Sequence, residues 1–427
     1  MARKQGLRST ITSVEALSLT LPSSMVVRRR RSVAALFCLS NVGILIWYLH
    51  KFSSVKSVFP SNLDAILASA IPDYLPVGTH IHLDDQRFQQ SILCSALSAP
   101  PLFQNRGQTA AKDPCWTAPT SELGPISAAD LCQLHAKKRI LLVGPELTYH
   151  LHLLWLAALS EHDHQSHECR GSEFCTFHHV CQSLHNDEDR RNQRHQTMPS
   201  NNELSTFNSS LIRFVMSTSL YTSSDAEDEH YTVPQIDAET GVRVRDMPWI
   251  SKAKKSDIVI LHRAPLPAPA FTHDGTKRGN WSFVDAFERL VPDRIVNAAL
   301  HTTLNRFLPA LNDTLTTLNA QAEFHKKDIF WIWHGGLYKP CTSSSSYLNP
   351  QAFASSSNNW QLYLNAQSYM HDYLLPKILP HYRILYVPLV SLSSDNSKKC
   401  PVPSYDTPSG KALLKHFSSA LGAKLVL

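Results

Sequence analysis

The sequence predicts an α/β fold in three layers, a central parallel sheet with helices on both faces. Two observations predict it. Short apolar runs recur between residues 139 and 389, and longer helical segments alternate with them. The runs themselves show almost no polar alternation, and a strand that is apolar on both sides must be covered on both faces. At 43% hydrophobic and 18% charged residues, the 427-residue chain can bury a sizeable core, which excludes global disorder.

The chain opens on positive charge. Arg3, Lys4, Arg8 and Arg28–Arg31 face the single acid Glu15, and the uncharged run Ser32–His50 follows. As a helix that run would span roughly 28 Å, close to a bilayer core. Trp47 and Tyr48 stand at its far end, where aromatic residues favour the interface. Basic flanks stay cytoplasmic, so the expected topology is type II with the C-terminal domain luminal. A cleaved signal peptide would need an unusually long n-region, and the Ser/Thr-rich, acid-poor start also fits a mitochondrial transit peptide.

Cysteines and sequons bear on that choice. Beyond Cys38 lie eight cysteines, an even set that implies disulfides in an oxidising lumen. Three sequons, at Asn208, Asn280 and Asn312, all follow the span. Together they favour the secretory pathway. The net charge of +6 owes much to the four consecutive arginines, and the little basic excess left over gives no footprint for nucleic acid.

The expected organisation is a cytoplasmic tail over 1–31, an anchor over 32–50, a stem and disulfide-tied lead-in over 51–134, and a luminal domain over 135–427. Within the last, Arg139–Gly144 reads as a strand and Glu146–Glu161 as a helix with an almost wholly apolar surface. Leu211–Ser217 and Asp257–His262 read as further strands. Phe283–Glu323 reads as helix broken at Pro292 and Pro309. Asp328–His334 is a fourth strand, Asn359–Ile378 a helix broken by Pro376, Arg383–Leu389 a fifth strand, and Ser409–Leu421 a last helix. Gln182–Ser205 is polar and reads as a surface insertion.

In open parallel sheets, ligands gather at the carboxyl ends of the strands. That rule selects Gly144–Leu147, His262–Ala264, His334–Cys341 and Asp395–Asp406. Arg139–Thr148 resembles the nucleophile turn of GDSL-type serine esterases, with Gly144-Pro145-Glu146-Leu147 where Gly-Asp-Ser-Leu would stand. Ser256–Ala264 resembles the strand ending in Asn-x-Gly of SGNH hydrolases. Asp328–Cys341 resembles the strand and Pro-x-x-His-Pro-x-Cys loop of the PC-esterase branch, and Asp395–Thr407 its C-terminal Asp-x-x-His-x-Cys block. Over about residues 135–421 the pattern is similar to the trichome-birefringence-like and fungal capsule-associated polysaccharide O-acetyltransferases. The resemblance implies an SGNH, flavodoxin-like fold, a Golgi setting, a glycan or polysaccharide partner, and a disulfide between Cys341 and Cys400.

The departures from that pattern bear directly on activity. The Ser position is Glu146, the Asn position His262 and its neighbouring Gly is Ala264; the Asp survives as Asp395, and the His is Lys398. A carboxylate at a helix N-terminus is a poor acyl nucleophile, and a lysine at its ordinary pKa is protonated near neutral pH and cannot act as base. Between Arg139 and Leu159 the only hydroxyls are Thr148 and Tyr149. Gly144-Pro145-Glu146 also reads simply as a strand-to-helix turn, and Asp395–Asp406 as a disulfide-anchored loop.

The sequence therefore predicts a catalytically degenerate luminal domain with a glycan-related binding or accessory role and no cofactor. The alternative is an active O-acyltransferase or esterase with displaced residues, in which Glu146 and His262 could form a general acid/base pair. A third reading, a structural membrane protein, follows if side chains fill the strand-end crevice. The His/Cys-rich segment from His162 to Cys181 offers Cys175, His178 and Cys181 as a zinc set. Disulfides are the stronger expectation there, with the histidines on the surface.

Overall fold

The computed structural model describes residues 62–76, 89, 128–163, 177–181, 198–220, 235–236, 243–244, 246–266, 291–321, 323–324, 329–336 and 359–389, with 410–411, 413–414 and 417–418 of a last helix. The expected anchor (32–50), Asn280, Cys341, Asp395, Lys398 and Cys400 lie outside them. Among the described residues, no helix is long and apolar enough to cross a membrane.

In chain order the elements are α1 (Leu63–Ala70), α2 (Ala128–His135), β1 (Arg139–Gly144), α3 (Glu146–Asp163), β2 (His178–Val180), α4 (Asn201–Thr206), β3 (Ser210–Met216), β4 (Gln235–Ile236), β5 (Arg243–Val244), α5 (Ile250–Ala253), β6 (Ile258–Leu261), α6 (Pro292–Thr302), α7 (Leu308–Ala320), β7 (Phe330–His334), α8 (Asn359–Ile378) and β8 (Ile384–Val387). The main sheet has six strands in the order β2-β3-β1-β6-β7-β8. β3, β1, β6, β7 and β8 run parallel. β1 lies beside β6, and β6, not β1, is the middle strand of the five.

Each parallel strand is buried along nearly its whole length because its two faces join two different cores. Leu141, Val143, Val259, Leu261 and Trp333 pack with α1, α6, α7 and α8. Ile140, Leu142, Ile258, Ile260 and Ile332 pack with α3 and with Leu413, Leu414 and Phe417 of the last helix. This is the period of two of a strand read twice, once on each side. The mixed α/β sheet and its two helical layers are thus present.

The sequence reading needs several corrections. β2 adds an antiparallel edge strand to β3, in a segment read as surface; His178 is buried within it. Residues 51–134, read as stem and lead-in, contribute core: Leu63 and Leu67 of α1 join the first cluster and Leu131 of α2 the second. Gln89 is also buried. Its amide accepts from the backbone N–H of Tyr386 and donates to the Tyr386 carbonyl, both at 2.8 Å.

Pro292 opens α6 directly after the extended Val291, as the expected break there requires, whereas Pro309 and Pro376 do not break their helices. Pro309 is accommodated by a π turn, Thr303–Phe307, that joins α6 to α7. Pro376 sits inside α8 two residues before its end, so its missing N–H removes only one late hydrogen bond. The polar insertion contains α4, entered through a reciprocal capping box between Ser200 and Glu203.

One disulfide is present among the described residues, Cys132–Cys181. It joins α2 to the end of β2 and removes Cys181 from any zinc set.

Candidate functional site

The last residue of β1 is Gly144, where nothing larger fits. A Cβ there would stand 2.2 Å from Thr148 Oγ1 and 3.0 Å from the His262 carbonyl. The chain then turns through Pro145, whose carbonyl accepts from the N–H groups of Thr148 and Tyr149 and starts α3. Glu146 occupies the first helical position with its side chain 60% exposed, 3.7 Å from His150 one turn on.

Two residues beyond Glu146, Thr148 is fully buried, as is His334 at the end of β7. Thr148 Oγ1 lies 2.9 Å from His334 Nε2. His334 Nδ1 lies 2.8 Å from the Gly335 carbonyl. A carbonyl only accepts, so the neutral ring carries its proton on Nδ1, and Nε2 accepts the threonine hydroxyl proton. His334 is held neutral, its pKa well below the ordinary value through burial and the neighbouring His262.

His262 completes a stack across the strand ends. Its ring lies 4.2 Å from that of His334, tilted by 20°, and its Nδ1 donates to the His334 carbonyl at 2.9 Å. Burial pushes its pKa down to about 4, partly offset by that hydrogen bond. Its Nε2 is buried without a hydrogen-bond partner. Gly335, next in line, permits close approach of a second pair: a Cβ there would meet the Tyr386 hydroxyl at 2.6 Å. That hydroxyl donates to Asp372.

Of the sequence-predicted positions, the structure thus brings Gly144 and His262 together and sends Glu146 outward to His150. Asp395 and Lys398 fall outside the described residues. The acid/base pairing of Glu146 with His262 is replaced by two separate sets of contacts. Thr148 and His334 were each named by the sequence reading, but their pairing was not. Their signals were faint: one of two adjacent hydroxyls at the start of an apolar helix, and a histidine closing the apolar run Phe330–His334.

Among the described residues no group of three His, Cys, Asp or Glu side chains is arranged to hold a metal. His178 and His179 make other contacts. The His178 ring lies 5.3 Å from that of His152, and His179 Nε2 meets Ser209 Oγ at 2.7 Å. Comparison with protein-family models, curated proteins and solved structures gave no match.

Proposed function

We propose that this chain is a type II membrane glycoprotein of the Golgi whose luminal domain has an SGNH/PC-esterase-like fold and acts by binding, in a glycan-related or accessory role, rather than by acyl transfer. The strand order supports the fold. Numbered among themselves, the five parallel strands run 2-1-3-4-5, the flavodoxin-like order, with its switch point between β1 and β6. One observation favours binding over turnover. The carboxyl ends of β1, β6 and β7 are closed by Thr148, His262 and His334, each under 4% exposed, while the nucleophile position is a solvent-facing glutamate.

Acyl transfer needs an activated hydroxyl, a base and oxyanion donors around a reachable carbon. Here the hydroxyl–imidazole pair at the strand carboxyl ends, Thr148–His334, is sealed in the core, and another such pair, His179–Ser209, stands at the amino end of β3. The Cys132–Cys181 disulfide is in keeping with an oxidising compartment.

A second reading rests on that same pair. Thr148, His334 and the Gly335 carbonyl have the order of a nucleophile, a base and the group that orients the base. Opening of the strand ends would convert a structural contact into a displaced catalytic dyad.

Fluorophosphonate labelling of the full-length protein, with an acetyl-ester release assay beside it, separates the two. The binding reading expects neither labelling nor release. Labelling that disappears in Thr148→Val would establish the dyad instead.

A further inference from the structure

The chain leaving β6 continues from His262 into Arg263, whose side chain is only 8% exposed. Its Nε is buried without a hydrogen-bond partner. Among the described residues no carboxylate forms an ion pair with it. Asp246 and Asp313 act on its charge from farther off, and burial outweighs them, lowering its pKa to about 10. Asp246 is already engaged: it accepts from Ser217 Oγ, Ser219 N and Ser219 Oγ. A guanidinium is a planar fork of donors that normally meets a carboxylate or phosphate in the interior, so this one lacks its usual complement.

A second unsatisfied nitrogen belongs to the same neighbourhood. The His371 ring stacks on Phe307 at 3.5 Å, and the Arg263 guanidinium carbon lies 5.9 Å from the centre of that ring. His371 Nε2 is buried and also lacks a hydrogen-bond partner. Phe307 closes the π turn, an irregularity that recurs at functional sites. One turn before His371 on α8, Gln367 accepts from the Leu266 N–H at 3.0 Å and donates to the Leu266 carbonyl at 2.7 Å. The chain just beyond Arg263 is therefore clamped to the helix that carries His371.

We propose that Arg263 and His371 are the recognition pair of a buried oxyanion site whose ligand is a small phosphate or the carboxylate of a sugar acid. The Arg263 fork donates to two ligand oxygens, and His371 donates from Nε2–H. The ligand charge takes the place of the missing carboxylate partner. Phosphate and a sugar acid share this chemistry, and the test separates them. The site does not depend on whether the Thr148–His334 pair is inert.

Thermal unfolding of the full-length chain in detergent micelles, in a buffer free of oxyanions, provides the test. Sodium phosphate and sodium glucuronate are added in separate arms, with glucose and sodium chloride as controls. At saturation either anion should raise Tm by roughly 2–4 °C, and the controls should not. A rise with glucuronate alone assigns a sugar acid; a rise with phosphate alone assigns phosphate. Arg263→Met should fold with an anion-free Tm no lower than wild type, because an unpaired buried charge is removed, and should lose the rise. Arg263→Lys keeps the charge without the fork and should bind at least about tenfold more weakly. Absence of any anion-specific rise in wild type, or an undiminished rise in either variant, overturns the proposal.

Discussion

Thr148 and His334, 186 residues apart in sequence, are joined by one buried hydrogen bond that ties the first turn of α3 to the end of β7. Thr148→Val keeps the volume of the side chain and leaves His334 Nε2 without its donor, a loss of about 1–3 kcal/mol. Thr148→Ser keeps the donor and removes one methyl group, for about 1 kcal/mol. Urea unfolding of the two variants should therefore rank Val below Ser. Equal losses would mean that packing, not the hydrogen bond, holds this junction.

Gly144→Ala should be among the more damaging single-methyl changes in the molecule. The added carbon meets Thr148 Oγ1 and Cβ and the His262 carbonyl, all at 3.0 Å or less, and overpacking of that kind costs about 1–3 kcal/mol. Combining it with Thr148→Gly relieves the contacts with Thr148 but not the one with His262. A double-mutant cycle should show a favourable coupling between the two sites. Strict additivity would contradict the close approach.

His135 and His262 both have folded-state pKa values lowered to about 4 by burial. Unfolded, each titrates near its ordinary value of about 6.5, so the unfolded chain binds more protons between those two values. Their contribution is intact above about pH 6.5 and is lost as pH falls towards 4, by up to about 1.4 kcal/mol per pH unit for each group. The His135 ring lies 5.0 Å from that of Trp155, tilted by 36°, and both of its ring nitrogens are unpartnered. His135→Phe should preserve the ring packing and flatten the acid slope of stability by about one proton. An unchanged slope in denaturant titrations at pH 7, 6 and 5 counts against a neutral buried imidazole.

Removing the disulfide by Cys132→Ser with Cys181→Ser should lower stability by up to about 4 kcal/mol, from the loop entropy of a 49-residue separation. Scanning calorimetry with and without reductant should show a larger drop in Tm for wild type than for the double variant, which retains the other cysteines. A reductant-insensitive wild type would mean that the cystine does not form.

Asn208 is exposed in a left-handed turn, whereas Asn312 is half-buried on α7. Asn208→Gln should remove a glycosidase-sensitive increment of apparent mass when the protein is expressed in a secretory host. Protease outside intact microsomes should spare the C-terminal domain. Digestion of that domain from outside would reverse the proposed topology.

The parallel strands were legible because burial on both faces leaves continuous apolar runs such as Ile140–Val143 and Ile258–Leu261. β2 was not, because a three-residue strand carrying His178 and His179 has no period to read. α1 was missed for a similar reason, since eight residues give little more than two turns of pattern. The site divided along the same line. Gly144 and Glu146 stood in one local motif, and the absence of a serine there was plain. The contacts of Thr148 with His334, and of Arg263 and His371 with Phe307, join distant segments and depend on side-chain burial that no local pattern encodes.

Open sheets face the hazard of growing into their neighbours, since an unpaired edge offers hydrogen bonds to any passing strand. Here each side is shut differently. β2 supplies a short antiparallel border on one flank, and the cystine at Cys181 holds the end of that border in place. On the other flank, the single amide of Gln89 occupies the Tyr386 N–H and C=O that a further strand would seek. Reduction, or Gln89→Ala, would therefore do more than lower stability: it would expose a template for intermolecular β pairing.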